Sequence, residues 1–330
     1  MIKYIKAILK RMFPPSRQYF NRRMESVDKR IESLSKRYVD LSKKIEGNNS
    51  RSEGTSKKLD DLNKRSEDTS KKLDILNNNI VNFSNMLAKS IDTDIKFQKD
   101  TKIRIERIEK RTTEVLWGQI FNSTINNSSW LKDKTFSPGP WAIGNPFLYV
   151  LYRVLNEIKP KNILELGLGQ STRMISQYAS YMQVCHDVVE HDDKWISFFK
   201  KDFLLPKQTQ VVKLDLHERS YLGDDKVIAY KDFMSTFINN KYDFISIDGP
   251  FGGMAQIYAR VDVLDIIPEC LRESFVILVD DYNRSGEQKM VEVMCRKLEE
   301  SHVAYKSSVY SGEKALSIIT SEDLGFLCSL

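Results

Sequence analysis

Apolar residues recur every seven positions through the first third of the chain. One set runs Met24, Ile31, Tyr38, Ile45, Ser52, Leu59, Ser66, Leu73, Ile80, Leu87; a second lies three residues on, as Val27, Leu34, Leu41, Asn48, Thr55, Leu62, Thr69, Leu76, Phe83, Ser90. This is the a/d spacing of a coiled coil, about ten heptads long, and its stripe is too narrow to serve a globular core. The register is fixed by an internal repeat: "RSEGTSKKLDDLNK" from Arg51 is followed by "RSEDTSKKLDILNN" from Arg65, two heptads each. A partner helix is therefore expected, and with it a homo-oligomer, dimer or trimer. After Leu87 the pattern resumes at Ile91, Ile105 and Ile108 with a four-residue phase shift that would locally unwind the supercoil. Asn48, Ser52, Thr55, Ser66 and Thr69 weaken the seam in its middle.

From about Val115 the seven-residue period gives way to short apolar runs at 162–166, 184–190, 210–214, 242–247 and 275–279, separated by stretches of helical character. Near-continuous apolar strands alternating with helices predict a parallel sheet covered on both faces. "SPGPW" at 137–141 precedes a predicted helix over about 146–158. Near the end, "AYKSSVY" and "KALSIIT" flank Ser311-Gly312, a hairpin signal. The expected organisation is a basic helix over 1–20, a coiled coil over 21–115 and an α/β Rossmann-like domain over 116–330.

Composition narrows the setting. At 330 residues and 41% hydrophobic residues the chain can bury a full core. No apolar run approaches the roughly 18 residues needed to cross a bilayer, and no secretory h-region opens the chain. Cys185, Cys270, Cys295 and Cys328 show no CxxC spacing, so reduced thiols in a cytoplasmic chain are expected. The net charge of +6 is uneven, with seven basic and no acidic residues from Met1 to Arg23. "MIKYIKAILKRMF" sets Ile2, Ile5, Leu9 and Met12 on one face, which suits either peripheral contact with an anionic membrane or a start to the oligomer. Because the basic residues are not interleaved with aromatics, no nucleic-acid partner is expected.

In open sheets of this class, ligands sit beyond the carboxyl ends of the strands. The first strand runs into "LELGLGQST", where Gly167 and Gly169 allow a tight turn and close approach to a ligand before a helix starting near Ser171. The second ends in Glu190, placed to accept ribose hydroxyls, and the third in Asp215, placed beside an adenine edge. Thr172 stands where a third glycine of a dinucleotide loop would be, and Glu165 would repel a pyrophosphate while suiting a cationic ligand.

On these residues the sequence from about Trp117 to Leu330 resembles the class I S-adenosylmethionine-dependent methyltransferases. The resemblance implies a seven-stranded, mostly parallel sheet with its last strand antiparallel, and S-adenosylmethionine as cofactor held by Glu165, Gly167, Gly169, Ser171, Glu190 and Asp215.

"FISIDGPFGG" and "FVILVDDYNR" end the fourth and fifth strands, so Asp248, Asp280 and Asp281 should project toward one crevice. Carboxylate pairs at 4 Å repel by ~4 kcal/mol at an effective dielectric of about 20, unless positive charge compensates them. Hard oxygen donors point to magnesium or another divalent ion. The pattern resembles the metal-dependent O-methyltransferases, and "VDDYN" the sugar O-methyltransferases of the macrolide-tailoring type, with a looser likeness to plant glucuronoxylan methyltransferases. That resemblance implies Asp248, Asp280 and Asp281 as metal ligands, Asp248 also as catalytic base, and a carbohydrate acceptor such as a bacterial surface polysaccharide or its precursor. "GPFGG" departs from the macrolide-tailoring relatives, which leaves His191 and His217 as alternative bases, Asp281 as a possible cap, and Tyr282 and Asn283 as turn residues. The competing reading is a coiled-coil scaffold or ruler whose Rossmann-like domain binds a nucleotide-like ligand without turnover.

Overall fold

A computed structural model describes residues 16–49, 56–139, 142–252, 255 and 257–330. The basic helix expected over 1–20 lies largely outside them. Two compact units divide the chain, residues 1–98 and 99–330.

The first unit is helical: α1 (Ser16–Asn49), then the larger part of α2 (Ser56–Ile125), a helix of 70 residues. Several seam positions carry large apolar side chains open to water, among them Ile31, Tyr38, Leu41, Leu76 and Phe83. Helix α2 does not stop where the heptads fade near Val115. Its last turns belong to the second unit, where Phe121 and Ile125 are buried with Trp130, Leu131 and Phe147.

In the second unit the elements follow as α3 (Asn145–Arg153) with a π turn to Ile158, β1 (Asn162–Leu166), α4 (Gln170–Met182), β2 (Cys185–Glu190), α5 (Asp193–Asp202) and β3 (Thr209–Lys213). Next come β4 (Leu216–Tyr221), β5 (Asp224–Tyr230), α6 (Phe233–Phe237), β6 (Tyr242–Ile247), a 3-10 turn at Val261–Asp265 and β7 (Leu271–Val279). The chain ends with α7 (Ser285–Glu300), β8 (Tyr305–Ser311), β9 (Ala315–Ser321) and a 3-10 segment Glu322–Ser329.

The main sheet has the order β3-β2-β1-β6-β7-β9-β8. Its first five strands are parallel and β9 runs antiparallel to both β7 and β8. Side-chain alternation divides the core: Leu164, Leu166, Ile245, Ile247, Ile277 and Val279 face α7 and the 3-10 turn, while Ile163, Phe244, Val276, Leu278 and Ile318 face α3 and α4. All these side chains are buried, which explains why the strands read as apolar runs without visible alternation.

Beyond the predicted strands there is a separate antiparallel hairpin, β4–β5, turning at Leu222 and Gly223, both at positive φ. The sequence reading gave this stretch helical character. Val227, Ala229 and Tyr230 anchor β5 to the core.

Candidate active site

The loops after β1 and β6 touch backbone to backbone. Gly167 has φ +99°, and a Cβ there would stand 3.0 Å from the Gly249 amide nitrogen; a Cβ on Gly249 would come within 2.7 Å of the Tyr230 hydroxyl. This approach brings Asp248, the residue before Gly249, next to the glycine loop. Gly169 is different: its backbone is extended, at φ −163°, and a Cβ on it would meet nothing within 4 Å.

A cavity of about 300 Å³ opens over these strand ends, lined by Gly167, Gly169, Glu190, Tyr230, Asp248 and Lys314 among others. Ala142 and Ile143, from the irregular segment between α2 and α3, form part of its wall. That segment is tied to α4, where Gln177 Oε1 accepts the amides of Lys132 at 2.9 Å and Asp133 at 2.7 Å.

At one end, Glu190 is oriented by backbone amides. Oε1 accepts from His191 at 2.6 Å and Asp192 at 3.0 Å, and Oε2 accepts from Leu168 at 3.2 Å. His191 Nδ1 lies 2.8 Å from Glu190 Oε1, which sets this histidine at the Glu190 end of the cavity. Between the two ends stands Tyr230, buried, with a hydroxyl that has no hydrogen-bond partner. Burial, with Glu190 and Asp262 next in effect, pushes its pKa well up, so it remains a neutral donor available to a ligand.

The other end is a charge network. One oxygen from each of Asp248, Asp280 and Asp281 lies within 4.8 Å of the others, as the sequence reading expected. Their compensating charge comes from the chain itself. Arg260 is 2% exposed and bridges Asp248 and Asp281, with Nη2 3.2 Å from Asp248 Oδ1 and 2.8 Å from Asp281 Oδ2. Lys314 bridges Asp280 and Asp281, with Nζ at 2.6 and 2.8 Å. Arg284 adds a third cation at 2.8 Å from Asp281, and Glu287, fully buried on the first turn of α7, a fourth carboxyl. Arg260 and Asp281 both take positive φ, at 54° and 59°, a conformation uncommon for arginine and better tolerated by aspartate.

Four carboxyl groups against three cations leave one negative charge in excess if all are ionised. Burial raises Asp248, Asp280 and Glu287 alike, and of these Asp248 is the one that lines the cavity. Burial first, then the neighbouring Asp280, push its pKa up to about 7, while Arg260 and Lys314 pull the other way. Its side chain keeps 28% exposure, facing the cavity it lines. A carboxyl open to a ligand cavity and titrating near neutrality can accept a proton from a bound hydroxyl. Against burial, Arg260, then Lys314 and Arg284, hold Asp281 below the usual carboxylate range, and burial raises Asp280.

Not every sequence-predicted site residue reaches the cavity. Gly167, Gly169, Glu190, Asp248 and Asp281 line it, and Asp280 lies behind, 1% exposed. Glu165 is fully buried and spends its carboxylate on His186 Nε2 at 3.0 Å, because it shares a sheet face with Ile163 and does not point past the strand end. Ser171 is buried in the first turn of α4. Asp215 is exposed and pairs with Lys213 at 3.3 Å, outside the cavity, and His217 is exposed on β4. Sequence reasoning missed Tyr230, Arg260, Arg284 and Lys314.

The residues present fit S-adenosylmethionine at the Glu190 end: an oriented carboxylate for a ribose diol, an orphaned buried hydroxyl and a glycine open toward the cavity. They do not fit a divalent ion as the donor set stands. Asp280 and Asp281 already hold Lys314 at hydrogen-bond distance, and Asp248 and Asp281 hold Arg260.

No protein-family model matches the chain, and no curated protein does. Among solved structures it is similar to a putative caffeoyl-CoA O-methyltransferase from Staphylococcus aureus, at 16% identity over 68% of this chain and 99% of that one, TM-score 0.36. It is also similar to a methyltransferase of Podospora anserina bound to S-adenosylhomocysteine, at 13% identity over 68% of this chain and 96% of that one, TM-score 0.38. A plantazolicin methyltransferase in complex with the same product matches at 12% identity over 67% and 98%, TM-score 0.33. Residues 99–330 carry a seven-stranded, mostly parallel α/β sheet whose last two strands are antiparallel. Among the described residues, no helix is long and apolar enough to cross a membrane.

Proposed function

We propose that this protein transfers a methyl group from S-adenosylmethionine to a hydroxyl oxygen of a carbohydrate. The observation that carries the reading is the shared cavity, in which the glycine loop, Glu190 and the neutral-titrating Asp248 line one space. The cofactor supplies an electrophilic methyl on sulfonium, a good leaving group. Glu190 and the loop hold its ribose and amino-acid ends; Tyr230 offers a hydroxyl donor. Asp248 would take the proton of the acceptor hydroxyl, whose oxygen would receive the methyl group while the cofactor's sulfur would leave as a neutral thioether. Phe251, exposed on the loop after Asp248 and lining the same cavity, offers a flat apolar face to a sugar ring. A surface polysaccharide or its precursor is the acceptor this reading favours.

The exposed seam on α1 and α2 supports a homo-oligomer of two or three copies, formed by second copies covering Ile31, Tyr38, Leu76 and Phe83. Calorimetry with S-adenosylmethionine and S-adenosylhomocysteine tests the cofactor, and methyl release onto polysaccharide fractions tests the acceptor. Failure to bind either compound removes the reading; binding without transfer to any glycan leaves the scaffold alternative in its place.

A further inference from the structure

Lys314 occupies the tip of the β8–β9 hairpin, and its surroundings leave it no freedom. Nζ donates to Asp280 Oδ2 at 2.6 Å and to the Ala142 carbonyl at 3.0 Å, and pairs with Asp281 Oδ1 at 2.8 Å. Two hydrogens of the ammonium thus have acceptors, and its charge faces a third oxygen as an ion pair. The side chain is 14% exposed. Behind it, the Glu313 amide donates to Glu114 on α2 at 2.9 Å and the Gly312 amide to the Lys314 carbonyl at 2.7 Å, so the tip is fixed from both sides.

A hard divalent ion bound by an oxygen of each aspartate would need to approach those oxygens to roughly 2.0–2.6 Å. Lys314 Nζ already stands within 2.8 Å of two of them, and the Arg260 guanidinium stands on the third. Both cations would repel the ion and both would lose their partners to it. We propose that Lys314 is a built-in replacement for a divalent ion: its ammonium fixes Asp280 and Asp281 as the floor of the site, leaves Asp248 the most open of the three carboxyls, and makes this centre one that takes no metal. Lys314 is thus a positioning residue, held by two hydrogen bonds and an ion pair.

The inference concerns ion binding and stands or falls separately from methyl transfer. Manganese titration of the full-length protein, with free Mn²⁺ read by electron paramagnetic resonance, tests it directly. The wild type should show no stoichiometric site up to about 1 mM. One Mn²⁺ per chain, lost in Asp280→Asn, would overturn the proposal. Lys314→Met keeps the stem without the charge; folded by circular dichroism, it should bind Mn²⁺ at least tenfold more tightly than wild type and lose that binding when combined with Asp280→Asn. A folded Lys314→Met with wild-type affinity overturns the replacement. If that variant fails to fold, the wild-type titration decides.

Discussion

Glu114 on α2 accepts the backbone amide of Glu313, at 2.9 Å, one residue before Lys314. The same carboxylate accepts the Asn145 amide at 2.6 Å and its Nδ2 at 2.9 Å, so one side chain joins the long helix, the start of α3 and the hairpin that carries Lys314. Charge-assisted bonds of this kind contribute about 1.5–3 kcal/mol when removal leaves their donors unsatisfied, less where water reaches them. Glu114→Ala should therefore cost roughly 2 kcal/mol in denaturant unfolding. It should also slow methyl transfer by roughly tenfold or more through displacement of the Lys314 floor, leaving S-adenosylhomocysteine affinity unchanged. A variant losing cofactor binding and rate in parallel would show that Glu114 supports the whole domain and not the hairpin.

Asp248 sets the pH profile. Its pKa is raised to about 7, so the basic form grows in as pH rises through that value. The charged groups around it are Asp280 and Asp281, which raise it, and Arg260 and Lys314, which lower it; the Tyr230 phenol stands nearby. Transfer at limiting acceptor should climb about tenfold per pH unit below 7 and level off above it. Asp248→Asn should bind cofactor normally and lose transfer at every pH. Retained activity with an unchanged profile would move the base elsewhere, with His191 the first alternative in the cavity.

The two loop glycines should separate fold from ligand. Gly167→Ala places a methyl 3.0 Å from the Gly249 amide at a φ of +99°, and should cost roughly 1–3 kcal/mol of stability. Gly169→Ala has an extended backbone that any residue adopts and no atom within 4 Å of the new methyl, so stability should change by no more than about 0.5 kcal/mol. Its methyl would stand in space the cofactor needs, and affinity for S-adenosylhomocysteine should drop severalfold. Calorimetry and thermal melting on the pair suffice; unchanged affinity in Gly169→Ala would place the cofactor away from this loop.

Much of the frame was legible because burial on both faces leaves a strong mark. Ile163 and Leu164, Phe244 and Ile245, and Val276 to Val279 are apolar on both faces of the sheet. The β4–β5 hairpin left a weak mark: "LHERSY" is half exposed, with no buried apolar run, and β5 is anchored by Asp262, 32 residues on, which accepts the Tyr230 amide. The three aspartates were legible as carboxylates at strand ends, but their counterions were not. A single arginine or lysine resembles any surface cation, and Arg260 and Lys314 become part of the site through tertiary contact alone. One signal was present for Lys314: β9 pairs antiparallel with β7, Val279 opposite Ser317, so the hairpin turn must fall beside Asp280 and Asp281. Glu165 misled because its loop position suggested a ligand, whereas strand alternation turns it toward His186.

Asp262 carries a stability effect separable from catalysis. Its carboxyl is buried, Oδ1 accepts the Tyr230 amide at 2.6 Å and Oδ2 has no partner. Burial pushes its pKa up to about 7, with the Tyr230 amide and Arg219 pulling the other way. A carboxyl whose folded pKa lies above its unfolded value of 3.8 keeps its proton in the native state while the unfolded chain has already released it. Stability is therefore full below about pH 4 and declines as pH rises from there toward 7. Three pKa units at 1.36 kcal/mol each bound the loss at ~4 kcal/mol. Asp262→Asn keeps the acceptor for Tyr230 and puts an amide where the unpartnered oxygen stands, so it should match wild type near pH 4 and exceed it by up to ~4 kcal/mol at pH 8. Because Asp248 titrates over the same range in both proteins, the difference between their urea unfolding free energies isolates Asp262. A difference that stays constant from pH 4 to pH 8 would mean the carboxyl is ionised in the folded protein, with a counterion or water reaching Oδ2.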